Sequence, residues 1–316
     1  MLACTGLMLG FGYAMVSQIS EPWQLILLFG IFVAAGMSTH DVVTLSTIAK
    51  WFAARRGVMT GVVKTGTAIG QVVVPPIAAI LIASYGWRTA VITMGAVATI
   101  LLLVAAFSMA VPPKPVATSQ SVEADGVSYF EARRSSTFWK MCAIQFLFFP
   151  TLMSIPVHIV VHGMDLGMTA ALAATLLSVT GGASIAGRLV IGGFSDRIGG
   201  KNAYILCFLP LIASLLAMLS FGAPNALFII LAFYGFAHGG LFTVVSPTVA
   251  EFFGTKAHGA IFGVILFCGT IGGAAGPLMA GWVFDTFGSY DIAFGGLAAM
   301  AALGLLLTLT LPKRAS

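Results

Sequence analysis

Apolar residues run along this chain in ten long stretches, approximately 1–19, 23–48, 57–84, 89–111, 138–161, 168–194, 202–221, 226–250, 258–284 and 290–311. None alternates polar with apolar at every second position, as a half-buried strand would. A helix needs about 20 apolar residues to cross a bilayer, and these stretches are of that order. Backbone groups inside lipid must be satisfied within the structure, which leaves helices or a closed barrel. Unbroken apolar runs exclude the barrel. The pattern predicts an all-α membrane protein of about ten transmembrane helices.

The polar positions between the runs divide the chain. The longest polar segment is 112–136, VPPKPVATSQSVEADGVSYFEARRS, and its prolines at 112, 113 and 115 stop the preceding helix. It reads as a linker between an N-terminal bundle of four helices, 1–111, and a C-terminal bundle of six, 137–316. A repeat relates the two. With a shift of 202, Gly61, Ile69, Gly70, Pro75, Ala78 and Gly86 meet Gly263, Ile271, Gly272, Pro277, Ala280 and Gly288. With a shift of 201, Thr47, Ala49 and Phe52 meet Thr248, Ala250 and Phe253. Parallel repeats of this kind mark paired transporter bundles. The same shift leaves the first two helices of the second half without a counterpart. The expectation is either a reading frame begun late or a shortened natural chain.

Composition agrees: hydrophobic residues are 59% of the chain and charged residues 8%, against about 25% charged in soluble domains. The net charge of +5 is scattered among loops, so it is not a nucleic-acid footprint. If the 194–201 loop is cytosolic, Lys50, Arg55, Arg56, Lys114, Arg133, Arg134, Lys140, Arg197, Lys201, Lys256, Lys313 and Arg314 share its side, and only Arg88 lies opposite. That asymmetry sets the orientation and supports the helix count. Cys4, Cys142, Cys207 and Cys268 each stand alone in apolar runs and read as packing residues. No cofactor is implied.

Ionisable groups inside apolar runs are costly, so each is a functional candidate. Arg188 is a permanent cation well inside its run, with Ser184 one turn away on the same face. It reads as an anion anchor; the structural alternative is a side chain reaching to headgroups. Lys64, with Gln71 two turns on, could hold anionic substrate or exchange a proton, or it could snorkel. His40 and Asp41, near Thr44, and His238, one turn from Tyr234, are candidates for proton coupling or for structural hydrogen bonds. Tyr234 and His238 also join the candidate substrate site. His158, His162 and Asp165 have a spacing seen in metal sites, but solvation at the outer surface is the expected reading, and no metal is assigned. No nucleophile–base set or phosphate loop is present, so an enzyme is not expected.

The stretch GRLVIGGFSDRIGGK, 187–201, places Asp196, Arg197 and Lys201 among Gly192, Gly199 and Gly200. The glycines permit a tight reversal. Asp196 is expected against a helix N-terminus, where the dipole favours negative charge, and Asp196, Arg197 and Lys201 together form a candidate conformational latch. Read from Gly192 to Lys201, this stretch resembles the G-x-x-x-D-R-x-G-x-K loop of the major facilitator superfamily. WFAARRG (51–57), Gly61, Gly66 and GWR (86–88) extend the resemblance over essentially the whole chain, as helices three to twelve of that fold's twelve. The aromatic pair followed by a doubled arginine and glycine is similar to the monocarboxylate transporter branch and its oxalate/formate relatives. In that branch a helix-eight arginine contacts the substrate carboxylate, and Arg188 falls at that position. The branch has Asp four residues earlier and often Pro next; here Ser184 and Leu189 stand there, which bears on its proton-coupling scheme.

These readings converge on an alternating-access secondary transporter of small organic anions, monocarboxylates foremost, with protons as coupling ion, in a bacterial-type inner membrane. The alternatives are an anion antiporter, a drug or sugar carrier, or a non-transporting protein that keeps the fold.

Overall fold

The computed structural model describes residues 1–110, 126–220 and 223–312. Most of the expected linker, 112–125, and its prolines lie outside the described residues, as do Lys114, Lys313 and Arg314. The described chain is helical: α1 (Leu2–Val16), α2 (Pro22–Trp51), α3 (Arg56–Ser108), α4 (Tyr129–Ala132), α5 (Ser136–Asp165), α6 (Ala170–Ile198), α7 (Gly200–Ser220), α8 (Pro224–Phe253), α9 (His258–Phe287) and α10 (Asp291–Leu309). Eight of these are long and apolar enough to cross a membrane, and α1 is a shorter apolar helix. Among the described residues the only β feature is an isolated bridge between Gly126 and Gly254.

Two of the ten expected spans fall within α3, which is 53 residues long. Gly86, with φ 79° and ψ 160°, breaks it into two limbs. That backbone conformation is cheap only for glycine. The break lies between the runs expected at 57–84 and 89–111, so among the described residues each of the ten apolar stretches forms helix. Within α2 a π-helical turn, Phe29–Val33, and a break at Ser38 and Thr39 interrupt the regular ladder.

The chain forms two compact units. The first comprises Met1–Trp51 and Val73–Ser121. Here α1 packs on α2 through glycines: a Cβ on Gly36 would lie 2.7 Å from the Leu9 Cα. Arg88 Nη2 donates to the Ile19 carbonyl at 3.0 Å and stacks on Trp87. Trp51 Nε1 donates to the Ala110 carbonyl.

The second unit comprises Phe52–Val72 and Val122–Ser316. The first turns of α3 therefore pack with the C-terminal helices. Small residues allow this, since in lipid helix association rests on close packing rather than on expelling water. Gly57 meets Ser195 and the Gly192 carbonyl, and Gly61 meets the Arg188 carbonyl. Along the seam of α5 and α9, a Cβ on Gly276 would lie 2.7 Å from the Pro150 Cα. The core of this unit holds Phe148, Tyr204, Phe208, Leu211 and Leu231, all buried.

The corner between α6 and α7 refines the expected reversal. Gly199 alone carries a positive φ, 80°, and ends α6. Gly200 begins α7, where any side chain would collide with Thr248. Gly192 lies inside α6 and meets the Gly57 carbonyl, so it serves helix packing rather than the turn.

Candidate functional site

Arg188 and Lys64 meet within the second unit. Arg188, on α6, is 1% exposed, and Lys64, on α3, is 6% exposed. Arg188 Nη1 donates to the main-chain carbonyl of Lys64, and its Nε donates to Ser184 Oγ at 3.3 Å. Both cations lie over the Phe242 ring, Lys64 Nζ at 5.3 Å from its centroid and Arg188 Cζ at 5.5 Å. An aromatic face attracts a cation electrostatically. The proximity of the two helices follows from Gly61, whose missing side chain lets α3 approach the Arg188 carbonyl.

Ser184 extends this network to α8. Its Oγ lies 3.3 Å from His238 Nδ1. His238 is 2% exposed. The His238 ring lies 5.0 Å from Phe242 and 5.8 Å from Tyr234. Tyr234 directs its hydroxyl away, to the Thr151 carbonyl at 2.9 Å. Arg188, Lys64, Ser184 and His238 are thus brought together around Phe242, and Tyr234 supports that group from behind. Gln71 is exposed and lies outside the group. The arrangement gathers a guanidinium, an ammonium and an imidazole in a poorly solvated place. That donor set suits an anionic ligand.

His40 and Asp41 lie in the first unit, at the break in α2. His40 Nδ1 is 2.6 Å from the Met37 carbonyl, and Nε2 is 3.6 Å from Asp41 Oδ1. Thr39 Oγ1 nearby is 2.6 Å from Thr5 Oγ1.

The residues of the 196–201 group separate. Asp196 Oδ1 accepts from the Gly57 amide at 2.7 Å, and Oδ2 from the Val58 amide at 3.0 Å. The carboxylate sits on the N-terminus of α3, where four amides lack intrahelical partners and the dipole is positive. Arg197 is exposed. Lys201 Nζ donates to the Leu309 and Leu311 carbonyls, each at 2.7 Å, and so caps the end of α10 instead. Lys140 donates to Thr310 at the same end.

His158 is not simply solvated. Its Nε2 donates to the Pro277 carbonyl at 2.9 Å, and its Nδ1 lies 3.2 Å from the Tyr290 hydroxyl. It joins α5, α9 and the start of α10. His162 packs edge-on against Phe294 and Tyr290. Among the described residues no group of three or more His, Cys, Asp or Glu could hold a metal.

Sequence reasoning missed Phe242 and Glu251. Phe242 lies one turn after His238, a spacing that would have put it on the same face. Glu251 Oε2 accepts from the Gly200 amide at 2.8 Å and caps α7 as Asp196 caps α3.

The model of the Major Facilitator Superfamily matches residues 1–277 and 165–316 of the chain. The chain belongs to the Major Facilitator Superfamily. It is 28% identical over 309 residues to monocarboxylate transporter 13 of Bos taurus, covering 96% of this chain and 72% of that protein. It is 27% identical over 272 residues to an uncharacterized MFS-type transporter, YhjX, of Escherichia coli, covering 83% and 66%. Among solved structures it is similar to the superfamily transporter FucP in its outward conformation, with a TM-score of 0.72, 15% identity, and coverage of 99% and 82%. The human organic anion transporter MFSD10 gives a TM-score of 0.73 at 15% identity, with coverage of 97% and 76%. At that identity the likeness is one of fold. Together these make the protein a multi-pass integral membrane transporter of this superfamily, as its sequence predicts.

Proposed function

We propose that this superfamily member carries small organic anions, monocarboxylates foremost, across a bacterial-type inner membrane by alternating access. The observation that carries the reading is the convergence of Arg188 and Lys64 on the Phe242 ring, with the His238 ring 5.0 Å from it. Two cations at one ring repel each other, and an anion shared between them lowers that energy. A carboxylate matches the guanidinium fork with two parallel hydrogen bonds. Relatives named monocarboxylate transporters support the same class.

In this reading Arg188 anchors the carboxylate, Lys64 and Ser184 complete the anion site, and Tyr234 holds α8 in place. His238 is the proton-coupling group closest to the anchor, and His40 with Asp41 are the candidates in the first unit. Gln71, exposed two turns from Lys64 on the same helix, lines the substrate path. Asp196 latches one end state, with Arg197 and Lys201 shaping the same loop. The functional halves are the bundles 1–111 and 137–316, joined by a cytosolic segment, 112–136.

Uptake of a panel of labelled monocarboxylates into proteoliposomes tests the reading. The expected result is saturable uptake of at least one carboxylate, accelerated by a proton gradient directed inward and abolished by a protonophore. Uptake of neutral sugars or cationic drugs, with no carboxylate transported, overturns it. Carboxylate exchange that ignores the proton gradient replaces symport with antiport.

A further inference from the structure

At the start of α5 the chain builds an aromatic and basic ledge that the transport reading does not use. Phe130 and Trp139 are 65% and 60% exposed. The Arg133 guanidinium stacks over the Phe130 ring at 5.1 Å from its centroid. Trp139 Nε1 donates to the Arg133 carbonyl at 2.9 Å. Phe130, Arg133 and Trp139 therefore form one pre-organised surface rather than three independent side chains. Arg134 is exposed beside it.

The ledge is also anchored from beneath. Ser128 and Glu131 form a capping box for α4, and Ser135 caps α5 by accepting from the Phe138 amide. The Val127 amide donates to the Phe253 carbonyl at 3.0 Å. Phe138 is buried between Tyr129, Trp139 and Phe253. Glu131 is the acid of this segment. Its carboxylate is turned back onto the Ser128 amide at 2.7 Å, and hydrogen bonds from Ser128 hold it below the usual carboxylate range. Lys140, one residue past Trp139, is committed to the Thr310 carbonyl and adds positive charge at the same level.

Ser136 opens a helix long and apolar enough to span a bilayer. The ledge thus lies where that helix leaves lipid for water. Indole rings favour that boundary, their apolar face toward acyl chains and their N–H toward the polar side. Juxtamembrane arginines there face lipid phosphates, which guanidinium groups bind with paired hydrogen bonds. We infer that Phe130, Arg133, Arg134 and Trp139 form a docking site for the headgroup of an anionic phospholipid, in the leaflet where α5 enters the membrane. Charge complementarity selects the anionic lipid over a zwitterionic one, and the exposed rings select a lipid over a soluble anion.

The test is native mass spectrometry of the protein released from nanodiscs of phosphatidylglycerol and phosphatidylcholine in equal amounts. The parent protein should retain phosphatidylglycerol preferentially. Arg133→Gln with Arg134→Gln should reduce that retention by about fivefold for each charge removed, from the typical worth of a basic residue at an anionic surface. Both side chains are exposed, so the variant should fold, and an unchanged melting temperature checks this. Arg88→Gln removes a positive charge from the opposite side of the membrane and should leave retention unaltered. Excess inorganic phosphate should not displace the lipid. Equal retention of both lipids, undiminished retention in the ledge variant, equal loss in the control variant, or displacement by phosphate would each overturn the assignment.

Discussion

Asp196 accepts the amide hydrogen of Gly57 at 2.7 Å, across 139 residues of sequence. With the Val58 amide at 3.0 Å on its other oxygen, the carboxylate closes the end of α6 onto the start of α3. A negative charge at a helix N-terminus is worth about 0.3–2 kcal/mol. Asp196→Asn keeps the shape and one acceptor oxygen but removes the charge. It is expected to lower the stability of the observed arrangement by that amount and to raise the reactivity of a cysteine placed at Ser195. Substrate affinity should change little. Unchanged cysteine labelling in the variant would rule out the latch.

Arg188 supplies the sharpest test of the anion site. Arg188→Lys keeps a charge but loses the planar fork, and Arg188→Ala loses both. Loss of a charge-assisted hydrogen bond in a poorly solvated site costs about 1.5–3 kcal/mol, or more than tenfold in affinity. Carboxylate binding should fall in the order parent, lysine variant, alanine variant. A neutral isostere of the substrate should bind equally to all three. If the alanine variant binds carboxylate as tightly as the parent, Arg188 is a packing residue held by Ser184 and the Lys64 carbonyl.

The approach of α3 to α6 depends on particular glycines. A side chain at Gly61 would collide with the Arg188 carbonyl, whereas nothing lies within 4 Å of the corresponding position at Gly66. Gly61→Ala should destabilise the protein by about 1–3 kcal/mol, the usual cost of overpacking, and should weaken carboxylate binding because it displaces Arg188. Gly66→Ala should be neutral or stabilising by about 0.5–1 kcal/mol, because alanine is the better helix former. Thermal melts in detergent, with binding measured on the same samples, separate the two.

His158 clasps three helices through Pro277 and Tyr290. Tyr290→Phe removes one hydrogen bond while keeping the ring stacked on Phe284 at 4.4 Å. It should cost about 1 kcal/mol. His158→Leu removes both bonds and strands the Tyr290 hydroxyl, so it should cost more, about 1–3 kcal/mol. Equal melting temperatures for parent and leucine variant would show that the clasp contributes nothing to stability.

The sequence by itself determined the helices, because each is a local matter. A run of about 20 apolar residues has to satisfy its own backbone, whatever surrounds it. The break at Gly86 was legible for the same reason, as polar and glycine residues separate two such runs. The depth of Arg188 and its spacing from Ser184 followed from helical periodicity alone.

The partner of each charge was decided only by tertiary structure, because it depends on which helices close against each other. Asp196, Arg197 and Lys201 are neighbours in sequence, yet Asp196 faces α3 and Lys201 the end of α10. Arg188 reaches a carbonyl 124 residues away. Lys64 and Gln71 look alike on a helical wheel, but the seam with α6 buries the first and leaves the second exposed. Phe242 was invisible among 24 phenylalanines, since an aromatic in an apolar run carries no signal until two cations are folded over its face. Hydrophobicity says that a segment is buried in lipid. Only the packing of glycines, which sets how closely backbones approach, says which side chains meet.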